Sequence, residues 1–263
     1  PKHVLRYKAF GWNLAVDAHL PNLKELGEGR KLSKRYGSVF AVEFLREGYL
    51  PEAVLNFLMF LGWNPGTEKE IYTLDEFVQD FSLEKVHKTD LVAFDRQKLL
   101  WMNGYYIRQL SPLQLWSKIE KWATDFNISL WQEKPAEERI LNVLALVQDR
   151  MRLLSEFTDL TSYFFEDPVV SEELLTSQAG EKTAEILKSY LELYKSVKDW
   201  NKENLELISH QNLEKLGYKP KEAFMALRVA VTGKVATPPL FDILGIIDKE
   251  VVVGRIQKAV SLL

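Results

Sequence analysis

A short glycine-flanked loop carries the densest set of groups that could do chemistry. It runs from Gly27 to Gly37, and four of its residues are cationic. Glycines at both ends let such a loop move. It can therefore close over a triphosphate, where lysine ammonium groups neutralise the charge that develops as pyrophosphate leaves. A basic loop that only contacts solvent is the alternative interpretation. The sequence around the loop has to decide between the two.

Arg228 is a second candidate functional residue, because it places a charge where the surrounding residues are apolar. It follows Phe224 by four residues and lies between Leu227 and Val231, so it shares the apolar face of a predicted helix. A charge in that place needs a partner. The partner is either a carboxylate of the protein or an anionic or base-edge group from outside, which a planar guanidinium suits. The residues alone leave both possibilities open.

The composition excludes several classes of site. The 263 residues are 46% hydrophobic, which is enough for one large domain or two smaller ones. There is no cysteine, so disulfides and thiolate metal sites are excluded, and the four scattered histidines predict no metal site. No apolar run reaches the roughly 18–20 residues of a membrane span. We therefore expect a cytoplasmic protein with no membrane segment. Because the chain opens on Pro1 in helix-like sequence, we also expect a fragment of a longer protein.

Charge is distributed unevenly along the chain. The net charge is −3, yet residues 1–50 carry +4 and residues 181–263 carry +2, with the negative charge between them. This pattern fits a protein that holds a polyanion at its two ends. It also fits an ordinary protein with uneven charge.

Apolar periodicity predicts a mainly α-helical chain. The stripe that ends at Leu154 predicts one long helix over 136–154. Further helices are predicted near 181–198, 202–216, 220–231 and 239–262, the last interrupted around Gly245 to Asp248, and short strands near 18–23 and 90–94. Capping signals mark several helix ends: the box from Thr73 to Glu76, Ser111 before Pro112, and C-cap glycines at Gly217 and Gly233.

The sequence on either side of the basic loop indicates the function of the loop. Lys31-Leu32-Ser33-Lys34-Arg35 resembles the KMSKS signature of class I aminoacyl-tRNA synthetases, in the form usual for glutamyl enzymes. Other blocks resemble the same family, in the same order, at residues 3–12, 18–21, 47–53, 101–108, 227–233 and 237–241. Each block alone is weak. Together they make the chain similar to the C-terminal half of a bacterial-type glutamyl-tRNA synthetase.

The resemblance implies a fold and a domain order. It implies a helical stem-contact region followed by an all-helical anticodon-binding domain in two subdomains. The implied ranges are 1–20 for the tail of the class I catalytic domain, 21–115 for the KMSKS loop and stem-contact domain, and 116–172 and 173–263 for the two anticodon-binding subdomains. The HIGH motif and the glutamate pocket of the family are absent from the sequence. We therefore expect this chain to be inactive without the missing N-terminal catalytic half.

The resemblance also implies a reaction. The full-length enzyme would be a monomer that attaches glutamate to tRNA(Glu) using ATP with Mg²⁺, and this chain would be its tRNA-binding part. Two alternatives stay open. The chain could be a stand-alone tRNA-binding module without catalysis, or part of a non-discriminating enzyme that also charges tRNA(Gln).

The same resemblance implies roles for individual residues. Lys34, with Lys31, is the implied catalytic residue, and Lys34, Ser33 and Arg35 are the implied ATP ligands. Implied contacts with the tRNA stem are Trp101, Asn103 and Arg108, although Trp101 at helical spacing also fits a core position.

The implied anticodon contacts lie in the second half of the chain. Arg150 would face the first anticodon base. On a helical wheel it falls roughly 80° from the centre of the apolar stripe, so it could rest its stem on the core and present its guanidinium outward. A solvent-exposed arginine without a ligand is the alternative. Arg228 would read a base edge. A base would pack on Pro238 and Leu240 while Thr237 bonds its edge.

Overall fold

The protein is mainly α-helical, as predicted. The computed structural model describes residues 2–15, 22–25, 41–86, 91–131 and 133–263. It contains two compact units, one formed by Pro1–Phe44 with Pro51–Met102 and the other by Leu45–Leu50 with Asn103–Leu263. The change of unit after Met102 falls earlier than the boundary implied at 115/116. The implied ranges, including the split at 172/173, stay predictions.

The first unit packs short helices around an aromatic cluster. Trp63 is buried, and its ring meets Tyr72 and Phe77 edge-on at centroid distances of 6.0 and 5.2 Å. Buried Asn56 holds the adjoining loop, because its side chain accepts from the Tyr72 amide at 2.6 Å and donates to the Glu70 carbonyl at 2.8 Å. The helices that begin in this unit are α1 (Lys2–Ala9), α2 (Ala41–Glu47), α3 (Pro51–Phe60), α4 (Leu74–Asp80) and α5 (Arg96–Arg108).

Two short strands pair in the first unit. β1 (Asn22–Glu25) lies parallel to β2 (Leu91–Phe94), and the chain between them supplies the crossover that a parallel pair needs. The strand predicted near 90–94 is confirmed. The strand predicted near 18–23 is found only from residue 22, and residues 16–21 lie outside the described part of the chain.

The second unit, in its described residues, is built from helices and turns. Its central helix is α12 (Pro220–Thr232), which packs against α9 (Glu172–Ala179), α10 (Thr183–Ser196) and α14 (Lys249–Ser261) and buries most of its apolar residues. Two of its helices, α8 (Glu156–Phe165) and α9, were not predicted from the sequence. Beyond α5, the helices are α6 (Pro112–Asp125), α7 (Glu137–Val147), α8 (Glu156–Phe165), α9 (Glu172–Ala179), α10 (Thr183–Ser196), α11 (Lys202–Leu216), α12 (Pro220–Thr232), α13 (Leu240–Ile246) and α14 (Lys249–Ser261).

The predicted helix caps are confirmed. At the start of α6, the Ser111 hydroxyl accepts from the Gln114 amide at 3.2 Å, and the Gln114 side chain accepts from the Ser111 amide at 2.9 Å. The box that opens α4 is present in the same form. Gly217 and Gly233 both adopt φ +67° directly after α11 and α12. These helix ends are therefore set by local residues.

The single long helix predicted over 136–154 is wrong beyond residue 147. α7 ends at Val147, Gln148–Arg150 form a 3-10 turn, and the chain is extended at Met151. The apolar stripe is nevertheless buried, since a change of backbone conformation still directs these side chains into the core: Ile140, Leu144, Val147, Met151 and Leu154.

Groups distant in the sequence hold the segment that leaves the helix. The Leu154 amide donates to the Gly48 carbonyl at 2.9 Å, and the Ser155 hydroxyl donates to the Glu47 carbonyl at 2.6 Å. Gly48 adopts φ +98°, and a Cβ atom there would lie 2.6 Å from the Ser155 nitrogen. The tertiary bonds replace those that a continued helix would have made, so local periodicity could not locate the helix end.

Candidate nucleic-acid interface

Arg228 is anchored through one end of its guanidinium. It lies half-buried on α12, where Nη1 donates to the Thr237 hydroxyl at 2.6 Å and to the Thr237 and Pro238 carbonyls at 3.2 and 3.0 Å. These acceptors belong to the turn between α12 and α13. The turn, which opens at Gly233, therefore sets the direction of the Arg228 side chain.

The other edge of the Arg228 guanidinium has no partner within the described residues. Among the described residues, buried Nε has no hydrogen-bond partner, and every hydrogen bond of Arg228 uses Nη1. Nε–H and Nη2–H point in the same direction, so they form a two-donor fork. The internal ion pair considered from the sequence is not found in this part of the chain. Burial, and then repulsion from Arg150, lower the pKa of Arg228 below its ordinary value.

The direct base contacts implied for Thr237, Pro238 and Leu240 need correction. Pro238 is buried and Leu240 is 4% exposed, so they present little surface on which a base could pack, and their contact with a base stays a prediction. The Thr237 hydroxyl is already used, since it accepts from Arg228 and donates to the Pro238 carbonyl at 3.0 Å. Burial arises from tertiary packing, which a motif does not report. In this structure Thr237 and Pro238 position Arg228.

Arg150 lies at the surface of the same region. It ends the 3-10 turn, is exposed, and forms no hydrogen bond or ion pair within the described residues. Its positive charge lowers the pKa of both Arg228 and Tyr163. The helical-wheel argument for its direction fails, because residue 150 is not in an α-helix. Its contact with an anticodon base stays a prediction.

Tyr163 belongs to the same region as Arg228 and Arg150, and it was not predicted from the sequence. It lies on α8 and is 2% exposed, with a buried hydroxyl that has no hydrogen-bond partner in the described structure. Burial raises the pKa of Tyr163 above its ordinary value, against the opposing effect of the Arg150 and Arg228 charges. The run Tyr163-Phe164-Phe165 predicts only core packing. No sequence signal would have separated it from its neighbours.

Arg255 is a further residue that the sequence analysis missed. On α14 it is 5% exposed, and its guanidinium donates to the Tyr163, Glu166 and Val231 carbonyls at 2.7, 2.7 and 3.0 Å. It therefore joins the C-terminal ends of α8 and α12, the helices that carry Tyr163 and Arg228. A charge among apolar helix neighbours was the signal used for Arg228, and it also marks Arg255.

The tRNA-stem contact implied for Asn103 also needs correction. Asn103 is fully buried, and its side-chain oxygen accepts from the Leu50 amide at 2.8 Å. Its amide nitrogen donates to the Arg152 carbonyl. Both ends of the side chain are thus occupied within the protein. Asn103 fixes the segment that follows the Arg150 turn.

The other two implied stem contacts are accessible. Trp101 is 46% exposed, so the alternative that it is a core residue is wrong. Arg108 is exposed at the end of α5. Their contact with a tRNA stem stays a prediction.

The implied ATP-site residues Lys31, Ser33, Lys34 and Arg35 lie outside the described residues. In the part of the chain that is described, no group of three or more histidine, aspartate and glutamate side chains could hold a metal ion. None of the helices described there is long and apolar enough to cross a membrane.

Two family models match the chain and together cover most of it. Residues 114–260 match the anticodon binding domain, and residues 1–101 match the catalytic domain of the class I tRNA synthetases for E and Q. The first match includes α12, the Arg150 turn and Tyr163. The chain belongs to the anticodon-binding domain family.

Relatives are similar over the whole chain. It is 35% identical to the glutamate–tRNA ligase of Herpetosiphon aurantiacus over 268 residues and 37% identical to that of Flavobacterium johnsoniae over 282. Each comparison covers 100% of this chain and 54% of the relative. A crystal structure of a glutamate tRNA ligase from Elizabethkingia meningosepticum, in complex with its amino acid, matches with a TM-score of 0.83 and 28% identity. The chain thus spans about half the length of the curated relatives that it matches, and its resemblance to glutamyl-tRNA synthetases is confirmed.

Proposed function

We propose that the second unit binds the anticodon of a tRNA and reads a base edge with Arg228. The observation that carries the proposal is the fork of Arg228, which is fixed by the 237–238 turn and has no protein partner among the described residues. A guanidinium fork suits two adjacent acceptors on an unstacked base. Exposed Arg150 adds a second positive charge to the same region.

The proposal extends to the reaction of the whole enzyme. The relatives are glutamate–tRNA ligases, so this chain serves as the tRNA-binding part of an enzyme that joins glutamate to tRNA(Glu). That enzyme uses ATP with Mg²⁺, held in part by the loop from Lys31 to Arg35, and acts as a cytoplasmic monomer. Trp101 and Arg108 contact the stem of the tRNA.

The sharpest test of the anticodon site is Arg228→Lys. The substitution keeps the positive charge but removes the planar fork. We expect the preference for tRNA(Glu) over a transcript with altered anticodon bases to fall by about 5- to 150-fold, the loss of one good bidentate contact to a base edge. Equilibrium binding of the two transcripts to the 263-residue chain at fixed salt would measure it.

A control on the same helix separates base reading from general attraction. Lys221 is exposed in the first turn of α12. Lys221→Ala should weaken both transcripts equally, if at all, because it removes only charge. If Arg228→Lys also left the preference unchanged, Arg228 would not be a base-reading residue.

Arg150→Gln should act on recognition without acting on stability. Because Arg150 is exposed and forms no hydrogen bond within the described residues, its replacement should change the free energy of unfolding by no more than about 0.5 kcal/mol. The preference at the first anticodon base should fall measurably in the same binding assay. Arg152→Gln is the matched control, because Arg152 is a neighbouring exposed arginine that already has Glu156 at 3.7 Å. Equal losses of this preference in the two variants would mean that Arg150 has no specific role in reading the first anticodon base.

A further inference from the structure

Gly104 is a glycine in the interior of a helix. It lies within α5 and is buried. Glycine destabilises a helix interior relative to alanine, because it loses more conformational freedom on folding and has no side chain to pack. The reason for a glycine at this position should therefore lie in the space beside it.

Two arginine side chains occupy that space. A Cβ atom at position 104 would lie 3.0 Å from Nη1 of Arg108, 3.5 Å from Cγ of Arg152 and 3.6 Å from the carbonyl oxygen of Met151. The last two distances are ordinary van der Waals contacts, so the packing of the 151–152 segment on α5 would tolerate an alanine. Only the position of the Arg108 guanidinium requires that the Cβ atom be absent.

The Arg108 guanidinium is held there without an acceptor from the protein. Arg108 is exposed at the end of α5 and forms no hydrogen bond or ion pair within the described residues. A guanidinium carries five N–H donors and cannot accept. Gly104 thus costs helix stability, and the arginine that it accommodates gives no hydrogen bond in return. This combination indicates an acceptor that comes from outside the chain.

A hydrogen bond places the end of α5 beside the turn that carries Arg150. The Gln148 side chain donates to the Ile107 carbonyl at 2.8 Å, directly before Arg108. Arg150 ends this turn, is exposed and likewise forms no ion pair within the described residues. Two unpaired guanidiniums therefore lie in this region, against the exposed carboxylate of Asp149 in the turn. Exposed arginines in excess over carboxylates suit the phosphates of an RNA backbone.

We infer that the Arg108 guanidinium, in the space that Gly104 leaves open, binds a phosphate of the tRNA backbone. The inference rests on the proposed tRNA-binding function and adds to it a chemical group for Arg108 and a positioning residue, Gly104. Arg228 is fixed by three hydrogen bonds and suits a base edge, whereas Arg108 has no such anchor among the described residues. Arg108 therefore contributes affinity without preference for particular bases.

Arg108→Gln tests the phosphate contact. The probes are the tRNA(Glu) transcript and the transcript with altered anticodon bases, bound to the 263-residue chain over a range of salt concentrations. Both affinities should fall equally, by about 2- to 10-fold, the effect of one hydrogen bond. The slope of log binding constant against log salt concentration should become shallower by about one. Lys221→Ala, which removes an exposed charge from α12, is the control and should have a smaller effect on both quantities.

Gly104→Ala tests the positioning role, and Gly254→Ala is its matched control. Gly254 lies inside α14, and no atom of the described residues lies within 4 Å of the position where its Cβ would be. Both substitutions should raise the unfolding temperature, because alanine favours a helix. Only Gly104→Ala should weaken the binding of both transcripts, by no more than Arg108→Gln does. In an Arg108→Gln chain, Gly104→Ala should have no further effect on binding, because the guanidinium that it displaces is already absent.

The outcomes separate this inference from the proposed function. If Arg228→Lys alters the preference between the transcripts while Arg108→Gln changes neither affinity nor salt slope more than Lys221→Ala does, the inference is overturned and the anticodon site stands. A changed preference in Arg108→Gln would also overturn it, because a phosphate contact does not distinguish bases. If Gly104→Ala lowers the unfolding temperature and leaves binding intact, the glycine serves packing alone and is no positioning residue. If the unsubstituted chain binds neither transcript at low salt, the proposed function itself fails.

Discussion

Replacing Arg255 with methionine is expected to lower the free energy of unfolding of the second unit by at least about 3 kcal/mol, because three carbonyls lose their donor. Methionine fills similar space but donates no hydrogen bond. The Tyr163, Glu166 and Val231 carbonyls would lose their donor, and an unpaired buried carbonyl costs about 1–3 kcal/mol. Urea unfolding followed by circular dichroism would measure the loss.

Lys258→Met provides the comparison for Arg255. Both side chains reach the Asp167 carboxylate from α14, but that of Lys258 is 71% exposed whereas that of Arg255 is 4% exposed. Exposed ion pairs contribute at most about 1 kcal/mol, so Lys258→Met should have a small effect. Comparable losses of unfolding free energy in the two variants would mean that the ion pair with Asp167, rather than the buried carbonyl contacts, stabilises the second unit.

Gly48→Ala is the second substitution with a large expected effect. An alanine at φ +98° is strained, and its Cβ would lie 2.6 and 2.9 Å from the Ser155 and Leu154 nitrogens. We expect a loss of about 2–5 kcal/mol from backbone strain and overpacking together. The same urea titration applies.

Gly66→Ala isolates the contribution of backbone strain. Gly66 has φ +81°, but no atom of the described residues lies within 4 Å of the position where its Cβ would be. Its replacement should cost only about 1–2 kcal/mol, the strain of a left-handed alanine. If Gly48→Ala cost no more stability than Gly66→Ala, residues 154 and 155 would be packed loosely enough against position 48 to accommodate a Cβ atom.

Helix ends were predictable where local residues set them. Thr73 and Ser111 begin helices through side chains three residues apart, and Gly217 and Gly233 end them through one backbone conformation. The end of α7 was not predictable, because the bonds that replace its continuation come from residues about a hundred positions away. Periodicity reports which side chains are buried, and it gives no information on those distant bonds.

Some residues of the candidate site could likewise be predicted from the sequence, and others could not. Arg228 could be singled out, because a charge on an apolar helix face is visible in one sequence, and Arg255 could have been found by the same rule. The burial of Pro238 and Leu240 and the unpaired hydroxyl of Tyr163 could not, because each depends on elements that meet only in the folded chain. Motif resemblance pointed to this turn, but it gave no information on how deeply the residues of the turn are buried.

The anchoring of Arg228 has a kinetic consequence. Arginine is among the side chains with the most rotational freedom, and immobilising such a side chain on binding costs roughly 0.5–1.5 kcal/mol of conformational entropy. Here the bonds of Nη1 to the 237–238 turn already restrict the side chain before any RNA arrives. Association should then be limited by diffusion and charge rather than by ordering of the site. If Arg228 reads a base edge as proposed, discrimination between anticodons should appear mainly as a difference in dissociation rates.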